Sequence, residues 1–364
     1  MISLKEKVNW AVRWGALWDA IGLPFETKKL GTIAPALEEA FFHPVGMNAR
    51  TQKSKKNNNF SGDLEKSGYI SDDTILTLAG LQSLINKGKI EIEDLFNEHR
   101  EFIKRFGTMW FGKGTLKSLS EMDSWRNPLE AWQFSRGNGV MMKQFPYALD
   151  AYLHPHAPEV MDKKIDTIAQ CTHLTPVARL TAILHNRILL HLLRQPSDQP
   201  LNRDAILPHM YVIAKAYEKN NLYLEWARDT DSSYPVTKII EQLHDQYIAL
   251  KANKPYSLQQ ILDTYTLQGE NKDAKYGFHV ASTFGYVYSI FLQKQNRDGL
   301  LDTIRIGEDT DTQASIIGNM IGAYKGEFYD KALLNQLQNK EEIATLLQQL
   351  DKKIVSPVSA VGQR

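Results

Sequence analysis

The apolar residues of this chain recur at intervals of three and four positions, which is the spacing of one face of an α-helix. Two clear examples are Leu95, Phe96, Phe102, Ile103 and Phe106, and Ile239, Ile240, Leu243, Tyr247 and Leu250. Strand-like alternation seldom continues for more than about five residues, and the glycines and prolines are spaced at helix lengths. The sequence therefore predicts an all-α fold, organised as a compact helical bundle.

The domain organisation follows from what the sequence lacks. No repeat of fixed period and no Pro-rich or Gly/Ser-rich linker divides the 364 residues. We therefore expect one domain over residues 1–350 and a flexible tail over residues 351–364. A polar run without helical period between His43 and Ile70 predicts a long loop, which is either a functional flap or a solvated surface segment.

Charge and cysteine content exclude several classes of protein. The 43 Lys and Arg residues nearly balance the 42 Asp and Glu residues, so no overall field attracts nucleic acid or an anionic membrane. We therefore expect no nucleic-acid binding. We also expect no membrane span, because no apolar run reaches about 18 residues. The single cysteine, Cys171, cannot form an internal disulfide, which favours a cytoplasmic location. We expect it to be a buried apolar side chain rather than a nucleophile.

Two acidic segments each precede a predicted helix. Ser71–Thr74 (Ser-Asp-Asp-Thr) comes before an apolar run, and taken alone it is best interpreted as a helix N-cap. In the second segment Asp309 and Asp311 lie two positions apart, so in extended backbone they would point to the same side. Together with Thr312 they would offer oxygen ligands suited to Mg²⁺ or Mn²⁺, although a second acidic cap is the alternative.

Glycines mark two further segments. Gly318, Gly322 and Gly326 fall at i, i+4 and i+8 of the second predicted helix, where each costs about 1 kcal/mol relative to alanine. This pattern predicts close approach of another backbone along one stripe. The segment from Gly137 to Lys143 reads Gly-Asn-Gly-Val-Met-Met-Lys, and its glycines permit a turn whose amide hydrogens converge on a phosphate. Asn-Gly is also common in tight turns, so both interpretations stay open.

One carboxylate follows a predicted helix end. Glu26 comes just after a Gly-Leu-Pro stop at residues 22–24. It is a candidate acid, base or metal contact, or simply a solvated side chain.

Together and in this order, GALWDAIGLPFE, SDDT, GNGVMMK and GEDTDTQASIIGNMIGAYKG resemble the ADP-ribosylglycohydrolase family. The resemblance runs from about residue 10 to residue 327. It implies an all-α fold with two divalent cations, Mg²⁺ or Mn²⁺. It also implies metal-dependent hydrolysis of the glycosidic bond between ADP-ribose and an acceptor, which is either a modified protein or a small-molecule conjugate.

The resemblance assigns roles to residues of this sequence. It implies one cation held by Ser71, Asp72 and Asp73, with Asp311 shared, and a second held by Asp309, Thr312 and Glu26. The implied substrate-binding residues are Asp72, Gly137, Asn138, Gly139, Val140, Met141, Met142, Lys143 and His173. Glu26, Asp72 and Asp311 are the implied catalytic residues, and either Glu26 or Asp311 would take the proton of the attacking water.

Three positions depart from the family pattern. Trp18 and Glu308 stand where small residues are usual, and Lys143 replaces an arginine, which removes a planar two-pronged donor. One alternative to hydrolysis is therefore a non-catalytic relative that binds ADP-ribose or has a structural role. Another is a metal phosphohydrolase using His244 and Asp245, although that pair is more typical of a helix surface.

Overall fold

The computed structural model describes residues 2–27, 29–31, 68–108, 111–123, 127–131, 133–219, 235–267, 277–326 and 331–354. Within these ranges the regular structure is helical. The β-type pairings found there are two isolated bridges, between Lys29 and Gly307 and between Gly137 and His279. The predicted all-α fold is confirmed.

Most of the described residues lie in α-helices. In chain order they are α1 (Leu4–Gly22), α2 (Asp72–Lys87), α3 (Ile92–Phe106), α4 (Lys113–Asp123), α5 (Gly139–Met142), α6 (Phe145–Leu153), α7 (Pro158–Gln170), α8 (Pro176–Arg194), α9 (Arg203–Glu218), α10 (Val236–Lys251), α11 (Leu258–Tyr265), α12 (Val280–Gln293), α13 (Arg297–Arg305), α14 (Thr310–Lys325), α15 (Lys331–Leu334) and α16 (Lys340–Ile354). Two 3₁₀ turns cover Leu23–Phe25 and Pro128–Glu130.

The first and fourteenth helices pack with their backbones in near contact. A Cβ placed at Gly318 would lie 2.6 Å from the Trp14 carbonyl oxygen, and one at Gly322 would lie 2.4 Å from the Ala11 Cα. The predicted close approach along a glycine stripe is therefore present, with α1 as the partner. Gly326 has a different role, because it ends α14 as its C-cap with φ of 71°.

A buried lysine fixes the other side of α1. The Lys7 ammonium donates to the carbonyl oxygens of Leu192 at 2.9 Å and Leu193 at 3.1 Å, and also to that of Gln195. These carbonyls belong to the C-terminal end of α8, where a cation is favourable. Burial lowers the pKa of Lys7 to about 8. The helix is thus held by α14 on one side and by the end of α8 on another.

One hydrophobic cluster extends from Val8 to Ile354. The aromatic residues of α12 belong to it, because Phe284, Tyr286 and Tyr288 are all fully buried. This helix is therefore part of the core.

Two sequence expectations fall at the edges of the described ranges. Helix α16 continues to Ile354, so the first four residues of the predicted flexible tail are helical, and residues 355–364 lie outside the description. Residues 32–67, which hold nearly all of the predicted loop between His43 and Ile70, also lie outside it. Among the described residues, no helix has both the length and the apolarity required to cross a membrane.

Candidate active site

Three buried carboxylates meet where α1, α2 and α14 come together. Asp19, Asp73 and Asp311 each offer an oxygen atom, and these three atoms lie within 4.8 Å of one another. Asp19 comes from the last turn of α1, whereas Asp73 and Asp311 come from the first turns of α2 and α14. Two acidic segments more than 200 positions apart in the sequence therefore contribute to one cluster, as predicted.

Side chains of Ser71 and Asp19 accept from three amides at the start of α2. Ser71 is its N-cap and accepts from the Asp73 amide, as the capping interpretation predicts. Asp19 accepts from the amide of Ser71, at 3.0 Å, and from the amide of Thr74, at 3.2 Å. The Ser71 hydroxyl also donates to Asp73 Oδ2 at 3.0 Å. The residue predicted as a metal ligand at position 71 therefore serves α2 as well.

The start of α14 is organised differently from the sequence expectation. Asp309 is the N-cap residue and Asp311 lies inside the first turn, so the predicted extended arrangement of this pair is wrong. The helical hydrogen bonding of α14 begins at Asp309, because the Gln313 amide donates to the Asp309 carbonyl oxygen. The two carboxyl groups still lie side by side, close enough to share a hydrogen bond. The Thr312 hydroxyl donates to Asp73 Oδ2 at 3.1 Å and joins α14 to α2.

A glycine at the end of α1 allows this meeting. A Cβ at Gly22 would lie 2.5 Å from the Thr310 carbonyl oxygen and 2.7 Å from the Asp311 Cα. The Thr310 hydroxyl donates to the Gly22 carbonyl oxygen at 2.7 Å. The backbone of α1 therefore touches the first turn of α14 directly.

The cluster is electrostatically unfavourable by itself. Burial raises the pKa of Asp19 and of Asp309 to about 6. Burial raises the pKa of Asp73 and Asp311 well above the usual carboxyl range, and neighbouring carboxylates add to the effect. A bound cation would relieve this repulsion.

Two oxygen atoms have the arrangement expected of metal ligands. Asp73 Oδ1 and Asp311 Oδ1 are buried and have no hydrogen-bond partner among the described residues. Buried carboxylate oxygens are normally hydrogen-bonded, so unpaired ones inside an acidic cluster indicate an absent partner. The donors are hard oxygen atoms, which suit Mg²⁺ or Mn²⁺ rather than thiolate-binding metals.

The remaining predicted carboxylates surround this cluster. Asp72 is only half-buried, in contrast to Asp73, and its pKa is raised by burial and then by Asp311, Asp19 and Glu26. Glu26 is buried and lies near enough to Asp309 to raise its pKa. All the predicted carboxylates therefore lie in one region.

The segment from Gly137 to Lys143 borders the same region. The Asn138 side-chain amide donates to Asp309 Oδ2 at 2.6 Å and to the Thr283 hydroxyl at 3.0 Å. Both of its hydrogens are used within the protein, so this side chain orients Asp309. Neither Gly137 nor Gly139 has a positive φ, and the segment forms the short helix α5 instead of the predicted turn.

The other side chains of this segment point away from solvent. Val140, Met141 and Met142 belong to the hydrophobic core, so only their backbone could contact a substrate. Lys143 is also buried and donates to the Thr172 hydroxyl at 3.0 Å. His173 follows in sequence and lies beside the two glycines.

A sequence model of the ADP-ribosylglycohydrolase family matches residues 4–358, nearly the whole chain. The chain belongs to this family. A solved structure described as an ADP-ribosylglycohydrolase-related protein complex is similar over 96% of this chain and 98% of that one, with a TM-score of 0.62 and 19% sequence identity. At that identity the likeness supports the fold alone, and the family supports assignment to a class of hydrolases.

One member of the acidic cluster was missed by the sequence analysis. Asp19 was not predicted as a ligand, although the structure places it among the closest three carboxylates. A signal was present, because Gly15, Asp19 and Gly22 are spaced by four and three residues and share one helix face. A carboxylate on a face of glycines packs against another backbone and cannot be solvated.

Two of the residues that depart from the family pattern, Glu308 and Trp18, occupy defined positions in the structure. Glu308 has φ of 67°, a left-handed conformation in which glycine is unstrained. Its carbonyl oxygen accepts from the Thr27 amide at 2.7 Å, which holds the segment carrying Glu26. Trp18 is buried in the hydrophobic core.

Two other candidate groups lie apart from the site. Cys171 is buried, and burial raises the pKa of its thiol to about 12, so it is unreactive as expected. His244 and Asp245 are exposed on α10, as the helix-surface interpretation predicts.

Proposed function

We propose that this protein cleaves the glycosidic bond between ADP-ribose and an acceptor, using two divalent cations, Mg²⁺ or Mn²⁺. The substrate is an ADP-ribosylated protein or a small-molecule conjugate of ADP-ribose. The observation that carries the proposal is the pair of unpartnered, buried oxygen atoms, Asp73 Oδ1 and Asp311 Oδ1, within the acidic cluster. A purely structural or binding protein would gain no stability from this arrangement.

The chain offers two overlapping groups of oxygen ligands. Asp19, Asp73 and Asp311 form the first, with Ser71 and Asp72 beside them. Asp309, Thr312 and Glu26 form the second, and Asp311 is shared because it lies next to Asp309. Divalent cations held there would neutralise the carboxylates and supply Lewis acidity that lowers the pKa of water.

The protein groups then have separate tasks. Asp72, half-buried at the edge of the cluster, is placed to contact the ribose hydroxyls. Glu26 or Asp311 takes a proton from the attacking water, whose oxygen forms a bond to the anomeric carbon as the bond to the acceptor breaks. The acceptor leaves with that bonding pair and takes up a proton. The neighbouring carboxylates stabilise the positive charge that develops on the sugar. Asn138 keeps Asp309 in position through its hydrogen bond.

Turnover on a panel of conjugates tests the proposal. Arginine-linked, serine-linked and O-acetyl ADP-ribose are incubated with the purified protein in Mg²⁺, in Mn²⁺ and with a chelator. We expect release of ADP-ribose from at least one conjugate, dependent on the cation. Asp245→Asn, an exposed carboxylate on α10, is the matched control for substitutions in the cluster and should turn over like the native protein.

The same experiment distinguishes the alternatives. No turnover on any conjugate, together with calorimetric binding of ADP-ribose, would support a non-catalytic relative. Loss of a metal-dependent phosphatase activity in Asp245→Asn would support the phosphohydrolase instead. Chelator-resistant hydrolysis would contradict the assignment of the acidic cluster as a metal site.

A further inference from the structure

We propose that Lys143 and Thr172 are positioning residues that hold His173 as the neutral tautomer protonated on Nε2. The resulting ring N–H faces the Gly137–Gly139 segment and donates to an oxygen atom of ADP-ribose bound there. The inference rests on the proposed function for its ligand. The tautomer itself is a property of the protein alone.

The buried side chains of Lys143, Thr172 and His173 form a chain of two hydrogen bonds beside the Gly137–Gly139 segment. The Lys143 ammonium donates to Thr172 Oγ1 at 3.0 Å, and the same Oγ1 lies 2.8 Å from His173 Nδ1. Lys143, Thr172 and His173 are each no more than 2% exposed. Lys143 follows α5 and the other two follow α7, so two turns bring the array together.

The donor and acceptor roles in these hydrogen bonds follow from which atoms carry protons. An ammonium group can only donate, so Thr172 Oγ1 is an acceptor toward Lys143. The Thr172 hydroxyl hydrogen then requires an acceptor, and within the described residues only His173 Nδ1 lies in reach. If Nδ1 carried a proton instead, this buried hydroxyl would lack an acceptor, which is unfavourable. Nδ1 is therefore unprotonated and the ring proton is on Nε2.

The ring is also held in its neutral form. Burial lowers the pKa of His173 well below its usual range, and the nearby Lys143 ammonium lowers it further. The doubly protonated ring would in addition place an N–H against the hydroxyl that already accepts from Lys143. His173 is thus a neutral donor.

His173 Nε2 lies toward the segment that borders the acidic site. A Cβ added at Gly137 would be 3.6 Å from Nε2, and one added at Gly139 would be 3.7 Å from it. Nε2 faces these two glycines, so its proton is available to a ligand bound at this segment. The absence of side chains at both glycines leaves space in front of this nitrogen.

Nitrogen-15 NMR of histidine-labelled protein without ligand tests the tautomer, with His173→Gln identifying the signals. We expect Nε2 protonated and Nδ1 unprotonated in the native protein. In Lys143→Met the Thr172 hydroxyl is free to donate or accept, so both tautomers become populated. A native ring protonated on Nδ1, or a pure Nε2–H tautomer that persists in Lys143→Met, would overturn the proposal.

Calorimetric titration with ADP-ribose tests the role of the donor. Loss of one hydrogen bond in Lys143→Met should weaken binding partially, and Thr172→Val should weaken it about tenfold. Thr172→Ser keeps the hydroxyl and should restore native affinity. Thr303→Val, which removes a buried hydroxyl bonded to the Gly299 carbonyl oxygen, is the matched control and should bind normally.

The test also covers a variant that does not fold and a native protein that does not bind ADP-ribose. If Thr172→Val does not fold because the buried Lys143 ammonium loses its partner, the double variant Lys143→Met/Thr172→Val is measured in its place. This double variant removes both polar groups. Unchanged affinity in the folded variant would overturn the donor role. If the native tautomer is as expected but native protein does not bind ADP-ribose, the proposed function fails and the ligand assigned to His173 fails with it, whereas the Lys143–Thr172 array stands.

Discussion

The two acidic helix starts in the site satisfy their backbone groups in different ways. At α2, Ser71 caps its own helix and Asp19 accepts from two further amides. At α14, the N-cap residue Asp309 makes no capping bond with its side chain and is held by Asn138 from another element. A carboxylate that leaves its own helix uncapped has been positioned for something other than helix stability. The comparison separates acidic residues that build the fold from those available to a ligand.

Asp311→Asn is expected to produce the largest change. Turnover should fall at least about 100-fold, because the shared ligand is lost. The free energy of unfolding of the metal-free protein at pH 7 should instead rise by about 2 kcal/mol, because one of several repelling carboxylates is removed. Assays of turnover and chemical denaturation with chelator measure both. A less stable variant would mean that Asp311 supports the fold, as α2 residues do.

The stability of the metal-free protein should depend on pH in the direction opposite to ordinary acid denaturation. Asp19 and Asp309 have a folded pKa of about 6 against an unfolded value of 3.8. Between these values the folded protein binds more protons than the unfolded chain. Stability should therefore fall as pH rises from about 4 to about 6, by roughly 3 kcal/mol for each group.

Thermal melts with chelator across this pH range measure that effect. Addition of Mg²⁺ or Mn²⁺ at pH 7 should raise the melting temperature, because cations replace the lost protons. The exposed-site variant Asp245→Asn should show the same profile. A metal-free profile that rises with pH would contradict the repulsion described for the cluster.

Asp19→Ala tests whether the Asp19 carboxylate stabilises the start of α2. It leaves the amides of Ser71 and Thr74 and the Thr74 hydroxyl without their acceptor. The free energy of unfolding should fall by about 3 kcal/mol in chemical denaturation at about pH 4, below the folded pKa of Asp19, where its ionisation costs nothing. Asp298→Ala, at an exposed position of α13, is the control and should change stability little. A loss no larger than in that control would show that α2 does not depend on Asp19.

Glu308→Gly is expected to have the smallest effect. The left-handed backbone at φ of 67° costs about 1 kcal/mol for a residue with a side chain. Glycine removes this strain but increases the freedom of the unfolded chain, so stability should rise by only about 0.5 kcal/mol. Glu308→Ala keeps the Cβ and should give no gain. Equal stabilities of the two variants would contradict strain at this position.

The sequence predicted the class of fold because apolar periodicity is a local property. It also predicted four of the carboxylates in and around the acidic cluster, because Asp72, Asp73, Asp309 and Asp311 stand in short recognisable segments. The extended geometry expected for Asp309 and Asp311 was wrong, since the exact start of α14 depends on a hydrogen bond at Gln313. Local patterns fix helix ends less well than helix interiors.

Other parts of the site depend on contacts between distant segments. Asp19 lies inside a helix without any cap signal, and only its packing against α14 brings it to the cluster. Lys143 and Thr172 are 29 positions apart and meet through two turns whose geometry no local pattern specifies. Thr172 directly precedes His173, but adjacency in the sequence does not specify the hydrogen bond between the two side chains.

The contact at Gly22 has a consequence for how this chain tolerates mutation. Its missing side chain sets the separation of α1 from the backbone of Thr310 and Asp311. Even a single methyl group would push two ligand-bearing helices apart, although glycine performs no chemistry itself. A deep mutational scan of enzyme activity should therefore find position 22 as intolerant as the aspartates, including to the most conservative replacement.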